Sequence, residues 1–186
     1  MPVDRPRESL DPLPAGLLRQ PLDYLMADHH RQRVLCRLAD ALAATSGSDP
    51  DLARTVGAFI SRDMAIHVID EEQDLFPLLR RRASLEDAID AVLGRLAAEH
   101  SSGSALAARI GRALDEAALT GRPLDRSTRL DLAEFARSER EHLALENAVV
   151  MPLARLRLTA GDLRALSLRM AARRGLLIDD PGPTAA

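Results

Sequence analysis

The chain has 186 residues, of which 46% are hydrophobic and 28% are charged, and its formal net charge is −3. This length suits one well-packed domain and is short for two. The balance of hydrophobic and charged residues is typical of a folded globular protein and excludes a disordered chain. The small negative charge gives no electrostatic reason to expect binding to nucleic acid or to an anionic membrane.

The residue types narrow the class further. Aromatic residues make up only 2% of the chain and the hydrophobic residues are mainly Leu and Ala, which favours helices over strands. Cys36 is the only cysteine, which excludes an intramolecular disulfide and a thiolate metal cluster. The N-terminal residues lack the apolar core of a secretory signal, and no apolar run is long enough for a membrane span. We therefore predict a cytoplasmic protein.

Prolines and helix caps mark the elements of the first half. Residues 1–14 contain four prolines, which predicts an irregular arm. A first helix is expected from about Pro21, because proline suits the first turn of a helix. This helix should end before the polar stretch 45–50. We take residues 15–175 as one domain that begins after the arm.

A second helix is predicted from Asp49, a suitable N-cap, and Pro50, a suitable first helical residue. Its hydrophobic stripe extends to Leu78. Pro77 lies near its end and would either kink the helix or help to stop it.

Helix caps and a polar stretch mark the helix boundaries of the second half in the same way. Ser84 and Asp87 resemble a capping box that opens a third helix, and the stretch 120–127 separates this helix from a fourth. Thr159 and Asp162 resemble the cap of a short fifth helix that ends near residues 173–175. Residues 176–186 are then predicted to form a flexible tail.

Two stretches on the second and fourth helices repeat the same chemistry. They read HVIDEEQDLFP from His67 and HLALENAVVMP from His142. In each, a Glu follows the His by four residues, and a Pro follows the His by ten. Residues i and i+4 lie on one face of a helix. Each His–Glu pair, His67 with Glu71 and His142 with Glu146, can therefore bind one small ion or molecule between its side chains.

A shorter repeat lies on the first and third helices, where LMADH ends at His29 and LAAEH ends at His100. We interpret the chain as a duplicated helical hairpin in which each half supplies two His and one Glu. Counted along the predicted helices, the two histidines of each hairpin are level within about one turn. Four histidines and two glutamates at one height in a four-helix bundle indicate a buried metal site. The candidate ligands are His29, His67, Glu71, His100, His142 and Glu146.

These residue types limit the chemistry. Imidazole and carboxylate ligands suit iron, manganese or zinc, and the lack of a thiolate among them argues against copper(I) and against an iron–sulfur cluster. Six side chains are too many for one reactive ion, so we expect two ions with coordination positions left open. Such a site could bind oxygen, peroxide or nitric oxide. A site that holds zinc only for stability is the plainer alternative.

Taken together, LMADH, HVIDEEQDLFP, LAAEH and HLALENAVVMP resemble the signature of the haemerythrin-like HHE cation-binding family over about residues 20–156. The resemblance implies an all-α fold, an antiparallel up-down four-helix bundle, to which the caps add a short C-terminal helix. It also implies a non-haem di-iron centre, with two iron ions preferred over zinc or manganese. By motif position, the six candidate residues become its ligands.

Two departures from related proteins restrict the function that the resemblance implies. The oxygen-carrying haemerythrins use five His and a His-x-x-x-x-Asp element in the last helix, whereas this chain has His-x-x-x-Glu and no fifth His in register. A more open site is implied, which argues against reversible oxygen carriage. The iron–sulfur repair proteins usually carry an N-terminal segment with cysteine, and here Cys36 stands alone.

Several residues next to the candidate ligands could also contribute to the metal site. His30 could replace His29, but the repeated pattern selects His29 and leaves His30 exposed. Asp28 and Glu99 precede two of the ligand histidines and could accept hydrogen bonds from ligand imidazoles, although we favour a surface position for both. Glu72 is expected to be solvated.

Three more residues are not expected to be metal ligands. Glu139 precedes His142 by three residues, a spacing that ferritin-like bundles use for ligands, but its counterpart in the first half is Met64. We expect Glu139 to lie next to the site or in solvent rather than to act as a seventh ligand. Tyr24 and Cys36 are expected to be packing residues.

The predicted function is a sensing or binding module whose di-iron centre binds or reacts with oxygen, nitric oxide or peroxide. One alternative is a di-iron oxidoreductase that consumes peroxide or oxygen, and another is iron storage or delivery. The expected partner is a small diatomic ligand or peroxide, with no nucleic acid and no membrane, and the sequence names no protein partner. Whether the protein is an enzyme stays open.

Overall fold

The structure is a computed structural model that describes residues 10–178. Within this range the chain forms five long helices and no β-strand. They are α1 (Pro21–Ala44), α2 (residues 50–82), α3 (Ile89–Thr120), α4 (residues 126–157) and α5 (Ala160–Arg173). Helices α1 to α4 form the bundle, in which α1 packs mainly on α4 and α2 mainly on α3. The predicted all-α bundle with an additional C-terminal helix is confirmed.

The predicted arm and tail fall only partly on the described residues. Residues 1–9 and 179–186 lie outside the described range, and residues 10–14 and 176–178 have no regular secondary structure. The domain boundaries at 15 and 175 therefore stay predictions. None of the described helices combines the length and the apolar character that crossing a bilayer requires.

Most helix ends follow the predicted caps. Pro21 is in the first turn of α1, and the Asp49 side chain accepts a hydrogen bond of 3.0 Å from the Leu52 N–H at the start of α2. Thr159 and Asp162 form a capping box at the start of α5. Each cap satisfies an N–H group that has no partner within its own helix. Helix α3 ends at Thr120, and the following Gly121 has a φ of 66°, in the left-handed region that glycine adopts readily.

The start of α3 differs from the prediction. Ser84 and Asp87 do form a capping box, but the box closes only the short 3₁₀ turn Leu85–Asp87. The Asp87 carboxylate also accepts hydrogen bonds of 2.9 and 2.8 Å from Arg157 of α4, which ties this turn to the neighbouring helix. Ala88 then adopts a left-handed backbone conformation (φ 48°), and α3 begins at Ile89.

Wide π turns occur in α2 and α4 directly before their prolines. They span Glu71–Leu75 and Glu146–Val150, and in each the N–H before the proline donates to the carbonyl of the glutamate five residues earlier. Pro77 and Pro152 have no N–H to donate, so a regular α-helical ladder would be broken there. The wider turn accommodates the proline, and both helices continue for more than a turn. Pro77 therefore does not stop α2.

Two hydrophobic clusters fill the bundle, one towards each end. The first includes Leu25, Phe76, Leu93 and Met151, and the second includes Leu35, Phe59, Ile110 and Leu132. Each of the four bundle helices contributes to both clusters. On every helix the candidate metal ligands lie between its two contributions, so the fold sets a polar layer across the middle of an otherwise apolar interior.

Candidate metal centre

The six candidate ligands meet in the polar layer of the bundle. Their side chains form two groups of four, each with ligand atoms that all lie within 4.8 Å of one another. The α1–α2 group contains His29 and His67, the α3–α4 group contains His100 and His142, and both groups contain the same two glutamates, Glu71 and Glu146. Either group could hold a metal ion.

Glu71 divides its two oxygen atoms between the groups. Its Oε1 atom is 3.3 Å from His67 Nε2 and 3.6 Å from His29 Nε2. Its Oε2 atom faces the other way, 3.6 Å from His100 Nε2. One carboxylate is therefore placed between two pairs of histidines.

Glu146 repeats this arrangement from the opposite side. Its Oε2 atom is 3.4 Å from His29 Nε2, whereas its Oε1 atom is 3.1 Å from His142 Nε2. The i to i+4 spacing on α4 brings His142 and Glu146 together, as the same spacing on α2 does for His67 and Glu71. The two halves of the chain thus contribute equivalent elements.

The unpaired polar atoms of the layer fit a bound cation. Both oxygens of Glu71 and of Glu146, and the Nε2 atoms of His29 and His67, are buried without a hydrogen-bond partner in residues 10–178. Buried polar atoms of this kind are costly unless something compensates them. His100 Nε2 and His142 Nε2 also approach to 3.0 Å. Metal ions between these lone pairs would satisfy atoms that the protein itself leaves unpaired.

An oxygen atom faces the outward Nδ1 atom of each ligand histidine, and two of these oxygens belong to the same hairpin as the histidine that they face. Asp28 Oδ2 lies 3.1 Å from His67 Nδ1, and Glu99 Oε2 accepts a hydrogen bond of 2.9 Å from His142 Nδ1. The preference for surface positions was wrong: Asp28 is buried and Glu99 is partly buried. Each acid lies about 100° around the helix from the histidine that follows it and so faces the neighbouring helix.

The other two acceptors come from the opposite hairpin. Glu72 accepts a hydrogen bond of 2.9 Å from His100 Nδ1, and Asn147 Oδ1 accepts one of 3.0 Å from His29 Nδ1. Glu72 is exposed, as predicted, but it is not merely solvated. Sequence reasoning missed Asn147, although the duplication contained the signal, since Asn147 follows one shared glutamate as Glu72 follows the other.

These oxygens favour one tautomer of the neutral imidazole rings. Carboxylate and amide oxygens can only accept, so in a neutral ring they favour the hydrogen on Nδ1 and leave the Nε2 lone pair facing the centre. Metal-binding histidines are commonly held in this way, which fixes the ring orientation and strengthens the ligand.

Electrostatics shift the pKa values of the bare ligands. Burial opposes the charged form of His67, but the charge of Glu71 and the contact with Asp28 outweigh it and raise the pKa of His67 well above its usual range. For His142, burial is likewise outweighed by Glu146, and the pKa rises to about 9. Protons therefore compete with metal ions for these nitrogens, and metal affinity should depend on pH.

Other candidates lie outside both groups. His30 is exposed, whereas His29 is fully buried. The Tyr24 hydroxyl accepts a hydrogen bond of 3.0 Å from Arg174. Cys36 is buried in the second hydrophobic cluster, and burial raises the pKa of its thiol to about 12, which leaves it unreactive.

A cavity of about 810 Å³ lies between α2, α3 and α4 and reaches the α3–α4 group. His100 and His142 are among its lining residues, whereas His29 and His67 are not. Glu139 also lines the cavity, and burial raises its pKa to about 7. Glu139 belongs to neither ligand group.

Comparison with known proteins agrees with this arrangement. The family model described as the Hemerythrin HHE cation binding domain matches residues 20–154, well over half of the chain and a range that contains all six candidate ligands. A search of curated proteins gives no match. The family implies binding of a metal, typically iron, and the His and Glu groups described above could hold one. The chain belongs to the hemerythrin HHE cation-binding domain family.

Proposed function

We propose that the protein binds two iron ions, one in each four-residue group, and acts as a binding or sensing module for oxygen, nitric oxide or peroxide. The observation that carries this proposal is that both shared carboxylates are divided between the groups. Glu71 and Glu146 each place one oxygen beside a histidine of the α1–α2 group and the other oxygen beside a histidine of the α3–α4 group. A single ion would leave half of these buried atoms unpaired.

The protein would hold and orient the ions through the ligand histidines. The acceptor on each Nδ1 atom keeps the Nε2 lone pair aimed at the centre, and losing such a partner typically weakens metal affinity about 10- to 100-fold. Once bound, iron would supply redox chemistry and open coordination positions, because four side chains in each group leave about two of six positions free. The protein would thus provide a rigid frame around exchangeable sites.

Charge balance supports two divalent ions. Two such ions bring four positive charges into a buried layer, where unbalanced charge is costly. The shared Glu71 and Glu146 offset two of these charges. Glu72, beside His100, can offset a third, whereas Asp28 and Glu99 already form ion pairs with Arg31 and Arg95.

An oxidoreductase is the second candidate, and the cavity favours it. A space of about 810 Å³ beside His100 and His142 offers far more room than a diatomic ligand needs. Iron storage or delivery remains the third alternative, although complete burial of His29 and near-complete burial of His67 favour retention of metal over exchange. The cytoplasmic location stays a prediction.

The first experiment measures iron content after anaerobic loading with ferrous iron and then records the optical spectrum as air is admitted. We expect two irons per chain and new charge-transfer bands in the near-ultraviolet and visible range. One ion per chain, or a tightly held zinc with no response to air, would contradict the proposal. His30→Ala is the matched control, because this exposed neighbour should change neither result.

Further assays separate the three roles. A peroxide turnover rate above that of free iron would support the oxidoreductase. Rapid transfer of iron to a chelator would support delivery. Spectral change with oxygen or nitric oxide, without turnover and without loss of iron, would support binding or sensing.

A further inference from the structure

The cavity beside the α3–α4 group is too large for the small ligands considered so far. Its volume is about 810 Å³, within the range of about 300–1,000 Å³ found for sites that bind small organic molecules. A water molecule occupies only about 30 Å³ of the liquid. Oxygen or nitric oxide would therefore leave most of this space unfilled.

Apolar side chains from three helices form much of the wall. Phe135 and Ile60 are buried, and Met64, Val68 and Leu106 are partly buried around them. These side chains can bury the hydrocarbon part of a ligand, which is the main source of affinity in such pockets.

The cavity opens where α3 carries small residues. Ser102, Gly103 and Ser104 line it and are exposed. An added Cβ at Gly103 would meet no atom within 4 Å, so the space beside this part of the helix is open. A small molecule can therefore enter from solvent.

Among residues 10–178, the charged side chains that line the cavity are acids or histidines, and none of them is an arginine. Three of the four glutamates already have arginine partners. Glu99 is paired with Arg95, and Glu134 and Glu141 are both paired with Arg137. The charge of these three is therefore largely offset at the protein surface.

Glu139 differs from the other three glutamates. It is partly buried, and it forms no hydrogen bond or ion pair with any side chain of residues 10–178. A carboxylate withdrawn from bulk water usually has such a partner. Its position on α4, one turn before His142, puts it on the cavity wall next to the α3–α4 group.

We propose that this cavity binds a small organic cation, an amine or quaternary ammonium compound with an apolar body, whose charged group pairs with Glu139. The apolar body packs against Met64 and Phe135. The bound molecule also contacts the wall formed by His100 and His142. This assignment needs the cavity and Glu139, not the iron, and so does not rest on the proposed function.

Three probes of similar size and different charge test the assignment: 2-phenylethylamine, 2-phenylethanol and 3-phenylpropanoate. Each is titrated calorimetrically into the full chain as isolated at about pH 8, above the pKa of about 7 of Glu139, where the amine is still charged. We expect the amine to bind most tightly, the alcohol more weakly and the anion weakest. Equal affinity for all three, or a preference for the anion, would overturn the proposal.

Glu139→Gln keeps the shape of the side chain and removes its charge. The amine should then bind about tenfold more weakly, because a hydrogen bond to a charged group is lost, whereas the alcohol should bind as before. An unchanged affinity for the amine would show that Glu139 does not receive the cation.

The methionines report where the probe binds. Met64 lines the cavity, whereas Met151 and Met170 lie in the first hydrophobic cluster. In the metal-free protein with ¹³C-labelled methionine methyl groups, the amine should shift the Met64 signal and leave the other two unchanged. A shift confined to Met151 or Met170 would place the ligand elsewhere and overturn the assignment.

A matched pair of substitutions on α3 provides the steric test. Ala107 lines the cavity, and Ala105, on the same helix, is exposed and does not line it. Ala107→Phe should abolish amine binding, whereas Ala105→Phe should leave it intact. Failure of the protein to load two irons would remove the proposed function, whereas amine binding to that same protein would leave this inference standing.

Discussion

The two ligand groups have the same composition but different surroundings. His29 and His67 are 0% and 2% exposed, and α5 packs on α1 and on the segment of α2 that carries His67. His100 and His142 instead line the open cavity. The duplication therefore gives both groups the same ligands, whereas the packing of the other helices determines which group a molecule from solvent can reach.

The carboxylates next to the outward nitrogens of the histidines also differ in burial between the two groups. Asp28 is buried and accepts a hydrogen bond of 2.7 Å from Arg31, which also donates to Asp63 at 2.6 Å. Glu99 is held by Arg95, whose side chain is largely exposed. The α1–α2 group thus has a rigid buried support, and the α3–α4 group has a support that water can weaken.

Removing a shared carboxylate should have the largest effect, because it damages both groups. In Glu71→Gln, we expect the iron content to fall from two ions to less than one per chain, with no response to air. Metal analysis and the optical spectrum measure this. Retention of one full equivalent would mean that Glu71 serves a single group.

Removing one ligand histidine should lower the iron content by one ion per chain. The rate at which the remaining ion is extracted should then differ between the two groups. His67→Ala and His142→Ala should each keep about one iron per chain. A chelator should extract the remaining iron more slowly from His142→Ala, where the ion is in the buried α1–α2 group. Equal extraction rates, measured by absorbance of the chelate, would contradict the comparison.

The supporting acids should have graded effects on affinity. Asp28→Asn should weaken metal binding about 10- to 100-fold, because His67 loses a charged acceptor in a buried network. Glu99→Gln should have a smaller effect on His142, since this acceptor is partly exposed. Competition with a chelator of known affinity gives both values, and a larger loss for Glu99→Gln would reverse the proposed order.

Weakening the contacts of Asp162, which attach the start of α5 to the end of α2, should have the smallest effect of these changes. Hydrogen bonds from Arg82, with further ones from Arg81 and Thr159, hold the pKa of Asp162 well below its usual range. Because the folded pKa lies below the unfolded value of about 3.9, Asp162 contributes stability above about pH 4 and loses it as the pH falls further.

Asp162→Asn should therefore lower the free energy of unfolding by about 1 kcal/mol at neutral pH, mainly through the lost cap. The difference between variant and wild type should shrink as the pH falls from about 4 to 2. Urea unfolding at several pH values measures this. Thr55→Ala, which alters an exposed hydroxyl bonded to a backbone carbonyl within α2, serves as the control.

Much of the architecture could be predicted because it depends on repeated local patterns. The i to i+4 pairs on α2 and α4 identify His67 with Glu71 and His142 with Glu146, and hydrophobic periodicity predicts the helices that carry them. Whether these residues bind metal stays a prediction, although the structure does bring them together.

What could not be predicted depends on contacts between helices. The periodicity of one helix does not reveal whether an acid such as Asp28 faces solvent or a neighbouring helix. The start of α3 was misplaced for the same reason, since Arg157 of another helix holds Asp87. The π turns were missed although proline recurs ten residues after His67 and His142, because sequence spacing alone does not distinguish a widened turn from a kink.

The polar layer between the two hydrophobic clusters has a consequence for the cooperativity of unfolding. Every bundle helix passes from one apolar cluster to the other through a layer of carboxylates and imidazoles. Bound metal would cross-link all four helices at that level and couple the two clusters. Without metal, each cluster can open with less help from the other, and amide hydrogen exchange should resolve two protected regions with different opening free energies.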